Sequence, residues 1–548
     1  MKRLASLAAL AFTLVSAPVA AQEAPPAPSA ATPPKLIVAI SVDQFSADLL
    51  AEYREHATGG FARLLKGAVF PHAFQGHAAT ETCPGHSTIL TGFRPEHTGI
   101  IANDWIDQRI ARADKKVYCA EDETVPGSTS QNYTVSDKHL RVPTLGERMK
   151  NANPETRVVS VAGKDRAAVM MGGHKVDELW WWDGKAAFVS YAGRATPPVV
   201  ARANAATAAL IAKAQPALDT PSWCAAHDRP VDLGGGKTVG AGHFERAAGD
   251  ATGFRVSPAF DAAILALAAG LVQDMKLGRG KATDIISIGA SATDFIGHAY
   301  GTEGAEMCIQ LSQLDTTLGR FFNVLDRTGV DYEVVLTADH GGNDIPEREV
   351  ANGIPEATRV DGALAPAAIG KAIAAQLGID GPALRAVMIP SGDIWLDTGL
   401  TATQRPLVLK AAVAAYAAHP QVAAVFTAAE LRAAPEPSGP PENWSLIQKA
   451  RASFDPERSG DLVVLLKPRI TAIPDATHTY VATHGSAWDY DRRVPMLFWR
   501  KGMAGFEHAG SVETVDIAPT LAAEIGLAIP KLDGKCLDLG AGQGAPCR

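Results

Sequence analysis

Residues 36–43 read LIVAISVD, an apolar run from Leu36 to Val42 interrupted only by Ser41 and closed by Asp43. An unbroken run of this length, without the alternation of a sheet that has one wet face, reads as a strand buried on both sides. Comparable runs recur at 157–162, 284–289, 332–336 and 494–499, with helical patterns over 144–150, 258–276, 311–326 and 515–525 between them. Within 311–326, Leu311, Leu314, Leu318, Phe321 and Leu325 recur at helical spacing, so that face belongs to the core. Strands alternating with helices predict an α/β fold with a mostly parallel central sheet covered by helices on both faces.

Two stretches break this rhythm. One, at about 170–255, carries the triplet Trp180-Trp181-Trp182, an Ala-rich helix and a Gly-rich turn; the other, at about 345–480, is rich in proline and has strand and helix signals of its own. Both are expected to be insertions in a catalytic domain spanning 35–548, forming a cap or small lobe. The Trp triplet reads as packing, since clustered aromatics bury large areas. At the other end of the chain, Lys2 and Arg3 precede an apolar run that reaches Val19-Ala20-Ala21, the layout of a secretory signal peptide over 1–21. Residues 22–34, QEAPPAPSAATPP, read as a Pro/Ala-rich linker. The expectation is a mature protein in the periplasm or secreted, with no membrane span.

The 548 residues are 47% apolar and 20% charged with a net charge of −8, and no basic run invites nucleic acid. Six cysteines in an exported chain favour disulfides, and the absence of a Cys-x-x-Cys pair argues against a zinc knot. Of fifteen possible connectivities, sequence order favours Cys536–Cys547, leaving Cys83–Cys119 and Cys224–Cys308.

The chemistry follows from where acids and histidines fall relative to the strands. Asp43 closes the first. Asp294 and His298 follow the run ending near Gly289, and their spacing puts both on one helical face. Asp339 and His340 follow the run ending at Leu336, and His484 precedes the run at 494. Open parallel sheets bind ligands beyond the carboxyl ends of their strands. Three Asp and three His make a suitable mixed oxygen and nitrogen set for two zinc ions. Thr82, in TETCPGHSTILTG, starts a short helix over 83–91 that Gly92 stops. A hydroxyl at a helix N-terminus, beside zinc, has the surroundings to attack phosphorus as an alkoxide.

The order Asp43, Thr82, Asn103, Lys164-Asp165-Arg166, Asp294-x-x-x-His298, Asp339-His340, His484 resembles the alkaline phosphatase superfamily. It is most similar to the bacterial Thr-nucleophile, Lys/Arg-containing phosphomonoesterase branch, which includes exported alkaline phosphatases of sphingomonads. That resemblance implies one zinc held by Asp294, His298 and His484, and another by Asp43, Asp339 and His340 with Thr82 as a reactive ligand. It implies a covalent phosphothreonine intermediate. It also implies that Asn103, Lys164 and Arg166 contact the unesterified oxygens of small phosphate monoesters, with broad specificity and weaker activity on diesters.

The nearest rival is a phosphodiesterase or nucleotide pyrophosphatase on the same scaffold, which lacks the Lys/Arg pair. A sulfatase needs Cys or Ser where Thr82 stands and Arg where His86 stands, and a manganese-dependent mutase would carry a Ser nucleophile. An inactive metal-binding protein is disfavoured because every member of the set is intact.

Overall fold

The structure is a computed structural model that describes residues 32–387, 392–477 and 480–540. The expected signal peptide, residues 22–31 of the linker, and Cys547, paired in sequence with Cys536, lie outside the described residues. Among those described, no helix is long and apolar enough to cross a membrane.

Leu36–Val42 is a strand with every residue buried. It occupies the middle of a ten-stranded sheet, paired in parallel with Asp284–Ala290 on one side and Tyr332–Thr337 on the other. Val158–Ala162 and Glu178–Trp182 extend the parallel part outward from Asp284–Ala290. Phe188–Val189 closes that edge in antiparallel fashion. The stretch after residue 170 therefore gives the main sheet two strands before it leaves it, and Trp180, Trp181 and Trp182 are all buried there.

The opposite flank begins with Arg493–Arg500, antiparallel to Tyr332–Thr337. Ala68–Phe74 runs antiparallel to it in turn, and the short Phe506–Glu507 and Val512–Glu513 pair with Ala68–Phe74. The reversed direction of Arg493–Arg500 has a positional effect. Its first residues, not its last, lie at the edge where the parallel strands end. His484, upstream of it, thus reaches the same edge as residues that follow their strands.

The flanking helices form where the apolar spacing predicts. Pro258–Asp274 carries proline at its first turn, where a missing N–H costs nothing. It packs against Ala305–Thr328, which begins ahead of the expected 311 and ends at Gly329 in the left-handed region. Leu145–Ala152 is capped by Thr144, whose hydroxyl accepts the Glu147 N–H. Disulfides Cys83–Cys119 and Cys224–Cys308 are both formed.

Residues 384–466 build a second, antiparallel sheet in the order Leu384–Arg385, Gly392–Leu396, Leu462–Leu466, Val422–Thr427. Ile394, Leu396, Leu462 and Val464 join Val408 and Tyr416 in a core of its own. Alternation along a strand sends the intervening side chains the other way, and Val463 and Leu465 belong to a separate cluster with Ala450 and Phe454.

Candidate active site

The helix Thr82–Thr91 carries the candidate nucleophile at its first position. Its cap is Glu81, so Thr82 is helical itself and not the cap that its position in the sequence suggested. Gly92, at φ 74°, ends the helix in a conformation that glycine adopts without strain. Gly85 is required for another reason: a Cβ there would lie 2.0 Å from the Asp339 carbonyl oxygen. That close approach sets the nucleophile helix against the end of Tyr332–Thr337. Asp43 leads into the helix Ala47–Tyr53, which Ser46 caps by accepting the Leu49 N–H.

Two donor sets converge at the carboxyl edge. Asp294 and His298 share one face of the helix Ala292–Tyr300, with His298 Nε2 3.4 Å from Asp294 Oδ1. His484 Nε2 also lies 3.4 Å from Asp294 Oδ1. The second set is Asp43, Asp339 and His86. His340 Nε2 stands between the two sets, 3.2 Å from Asp339 Oδ2 and 3.9 Å from Asp294 Oδ1. His86 was not singled out from sequence. It lies one turn after Thr82 on the same helical face, 3.3 Å from Asp43 Oδ1 and 3.2 Å from Asp339 Oδ2, and that i, i+4 spacing was the available signal.

These residues fit a metal centre by their unmet valences. Asp43 Oδ1, Asp294 Oδ1, Asp339 Oδ2 and His340 Nε2 are buried without a hydrogen-bond partner among the described residues, a costly condition for polar atoms that nothing else offsets. The imidazoles are also oriented as ligands. Nδ1 of His298, His340 and His484 donates to the carbonyls of Ala482, Gly341 and Thr80 at 2.8, 2.8 and 2.7 Å. Each Nε2 lone pair is thereby turned toward the carboxylates. Burial, reinforced by His340, lowers the His484 pKa to about 3, and burial lowers His298 as well, keeping both in the neutral form that binds metal. Burial opposes ionisation of Asp294, yet Lys164 and His298 hold its carboxyl well below the usual range.

Lys164 is the cap residue, and Arg166 lies in the first turn, of the helix Asp165–Gly172 that follows Val158–Ala162. Lys164 Nζ lies 3.5 Å from Thr82 Oγ1, 2.6 Å from Asp294 Oδ2 and 3.0 Å from Asp43 Oδ2. Arg166 Nη2 reaches Thr82 Oγ1 at 3.4 Å. Asn103 Oδ1 accepts the Cys83 N–H at 2.8 Å, which leaves the Asn103 amide N–H groups for a ligand. Lys164 and Arg166 thus both reach the Thr82 hydroxyl, and Asn103 holds the backbone next to it. Behind Arg166, Asp165 accepts the hydroxyls of Tyr118 and Tyr133 at 2.6 and 2.8 Å, and Tyr118 lies 3.4 Å from Arg166 Nη1. A cavity of about 250 Å³ opens onto Asn103, Arg166, Asp294, His298 and His484.

Residues 37–487 match the protein family described as type I phosphodiesterase / nucleotide pyrophosphatase. The chain is 59% identical over 522 residues to alkaline phosphatase PhoK of a Sphingomonas species, which covers 94% of this chain and 93% of that protein. It is 48% identical over 517 residues to alkaline phosphatase PhoD of Zymomonas mobilis subsp. mobilis, covering 94% and 89%. Among solved structures, wild-type alkaline phosphatase PafA superposes with a TM-score of 0.80 at 25% identity, over 93% of this chain and 99% of that one.

Proposed function

The chain belongs to the type I phosphodiesterase / nucleotide pyrophosphatase family, within the alkaline phosphatase superfamily, and is an alkaline phosphatase; we propose that it is an exported enzyme that hydrolyses phosphate monoesters with two zinc ions and Thr82 as nucleophile. One zinc would be held by Asp294, His298 and His484, the other by Asp43, Asp339 and His340. The observation that carries the reading is the convergence of Lys164 Nζ and Arg166 Nη2 on Thr82 Oγ1 between the two donor sets. Zinc supplies Lewis-acid charge to the reacting oxygens.

The chain's own residues do the rest. Thr82 Oγ1 attacks phosphorus in line, its bond to phosphorus forming as the ester oxygen leaves, and the phosphothreonine is then cleaved by water to inorganic phosphate. The two cations beside Oγ1 favour its alkoxide over its hydroxyl. Arg166 can hold two phosphate oxygens in a fork, Lys164 acts as a point charge, and Asn103 donates an amide N–H. A monoester dianion presents one more unesterified oxygen to these donors than a diester does.

The matched family is described by its diesterases, so the competing reading is a phosphodiesterase. A comparison of kcat/KM on matched monoester and diester substrates decides between them. Lys164→Ala and Arg166→Ala should each lower monoester hydrolysis about tenfold to a hundredfold and affect the diester much less. Equal losses on both substrates would refute the assignment of these two residues, and a wild-type preference for the diester would refute the monoesterase. Metal analysis of the active protein should find two zinc ions per chain.

A further inference from the structure

The catalytic cavity has a second half that the chemistry above does not use. Its far wall comes from the antiparallel sheet of residues 384–466, and the alternation of two strands decides what it is made of. In Gly392–Leu396, Ile394 and Leu396 face that sheet's own core, whereas Asp393 and Trp395 line the cavity. In Leu462–Leu466, Leu462 and Val464 face the core, whereas Val463 and Leu465 line the cavity. Phe454 adds to the apolar wall, and Phe295, on the helix that carries Asp294 and His298, faces it from the catalytic side.

Acidic groups line the cavity beside the neutral Ser453 and Ser459. Glu81, Asp104 and Asp393 all line the cavity. Glu81 accepts the Asn103 N–H at 2.7 Å, and Asp393 accepts the Gly460 N–H at 2.5 Å. Lys116 lies 3.4 Å from Asp104 Oδ1. Arg166 also lines the cavity and acts on Glu81 and Asp104, so Asp393, on the strand Gly392–Leu396, is the acid of the far wall. At about 250 Å³ the space falls below the range of roughly 300–1,000 Å³ usual for small-molecule pockets. It suits a compact leaving group.

We propose that this wall is the leaving-group subsite, and that Trp395, Phe454, Val463 and Leu465 with Asp393 select monoesters of compact, uncharged, apolar alcohols over those whose leaving group carries its own negative charge. The inference rests on the phosphatase reading and specifies its substrate class. Apolar contacts reward an aromatic or branched alcohol, and Asp393, which burial pushes up to about 7, repels a second anion once it is ionised at alkaline pH.

The test uses two aryl phosphates of one shape, 4-carbamoylphenyl phosphate and 4-carboxyphenyl phosphate, with glycerol phosphate as a small polar control. The wild type should prefer the carbamoyl compound by about tenfold in kcat/KM. Asp393→Asn should narrow that ratio by raising the rate on the carboxylated compound. Trp395→Leu should cost about tenfold on the aryl substrates and much less on glycerol phosphate. Benzylphosphonate should inhibit the wild type more tightly than methylphosphonate, a binding measurement that needs no turnover and no variant. A carbamoyl-to-carboxyl ratio near one in the wild type, or equal inhibition by the two phosphonates, would overturn the proposal. Failure to hydrolyse any of the three esters would instead overturn the phosphatase reading, so the two failures are distinguishable.

Discussion

The role proposed for Thr82 rests on neighbours that are distant in sequence. Its hydroxyl is buried at the start of a helix, with Lys164 and Arg166 as its nearest cations. Thr82→Ala should lower monoester turnover by a factor on the order of a thousand or more while leaving Tm close to the wild type's, and Thr82→Ser should keep part of the rate. A wild-type rate in the alanine variant would rule out the covalent route. Glu333 is a second residue with a measurable consequence. It sits fully buried in the strand Tyr332–Thr337, and neither carboxylate oxygen has a hydrogen-bond partner among the described residues. Burial, with Glu524 nearby, pushes its pKa from 4.5 up to about 8. A carboxyl that holds its proton more firmly when folded favours the fold fully below its unfolded pKa, and that contribution is lost as pH rises from about 4.5 to about 8. Glu333→Gln should therefore raise Tm relative to the wild type by an amount that grows between pH 5.5 and 8.5. A Tm difference that is the same at every pH would show that the carboxyl does not titrate in this window.

Between the elements, the segment Lys116–Tyr118 links the two groups of residues proposed to bind phosphate. Cys119 ties it covalently to Cys83, next to Thr82, and Tyr118 reaches Asp165 and Arg166. Tyr118→Phe removes the hydroxyl and keeps the ring. The expected result is a loss of about tenfold in monoester kcat/KM, little change on diesters, and strong coupling to Arg166→Ala in a double-mutant cycle. Additive losses would place Tyr118 in the fold alone. This link was not legible in the sequence, because nothing periodic pairs Tyr118 with Asp165 across a separation of 47 in sequence. Strand 36–42 was legible, since a strand buried on both faces needs an apolar residue at nearly every position. The reversal of Arg493–Arg500 was not, because an apolar run has the same composition in either direction.

For the molecule as a whole, the two donor sets draw on residues from 43 to 484, so metal bound there joins distant parts of the chain. Chelation should abolish activity and lower Tm by several degrees, and added zinc should restore both; an unchanged Tm would mean that the metal ligands are held by the protein alone. The sheet order has a different outcome, one of timing. Leu36–Val42 is among the first segments to be synthesised, yet both of its partners, Asp284–Ala290 and Tyr332–Thr337, follow more than 240 residues later. At ribosomal speeds of roughly 5–20 residues per second, this apolar strand waits on the order of 10–50 s without a mate. His484 arrives later still. A nascent chain must therefore be shielded through most of its own elongation, and no truncated product that ends before residue 484 can assemble the centre.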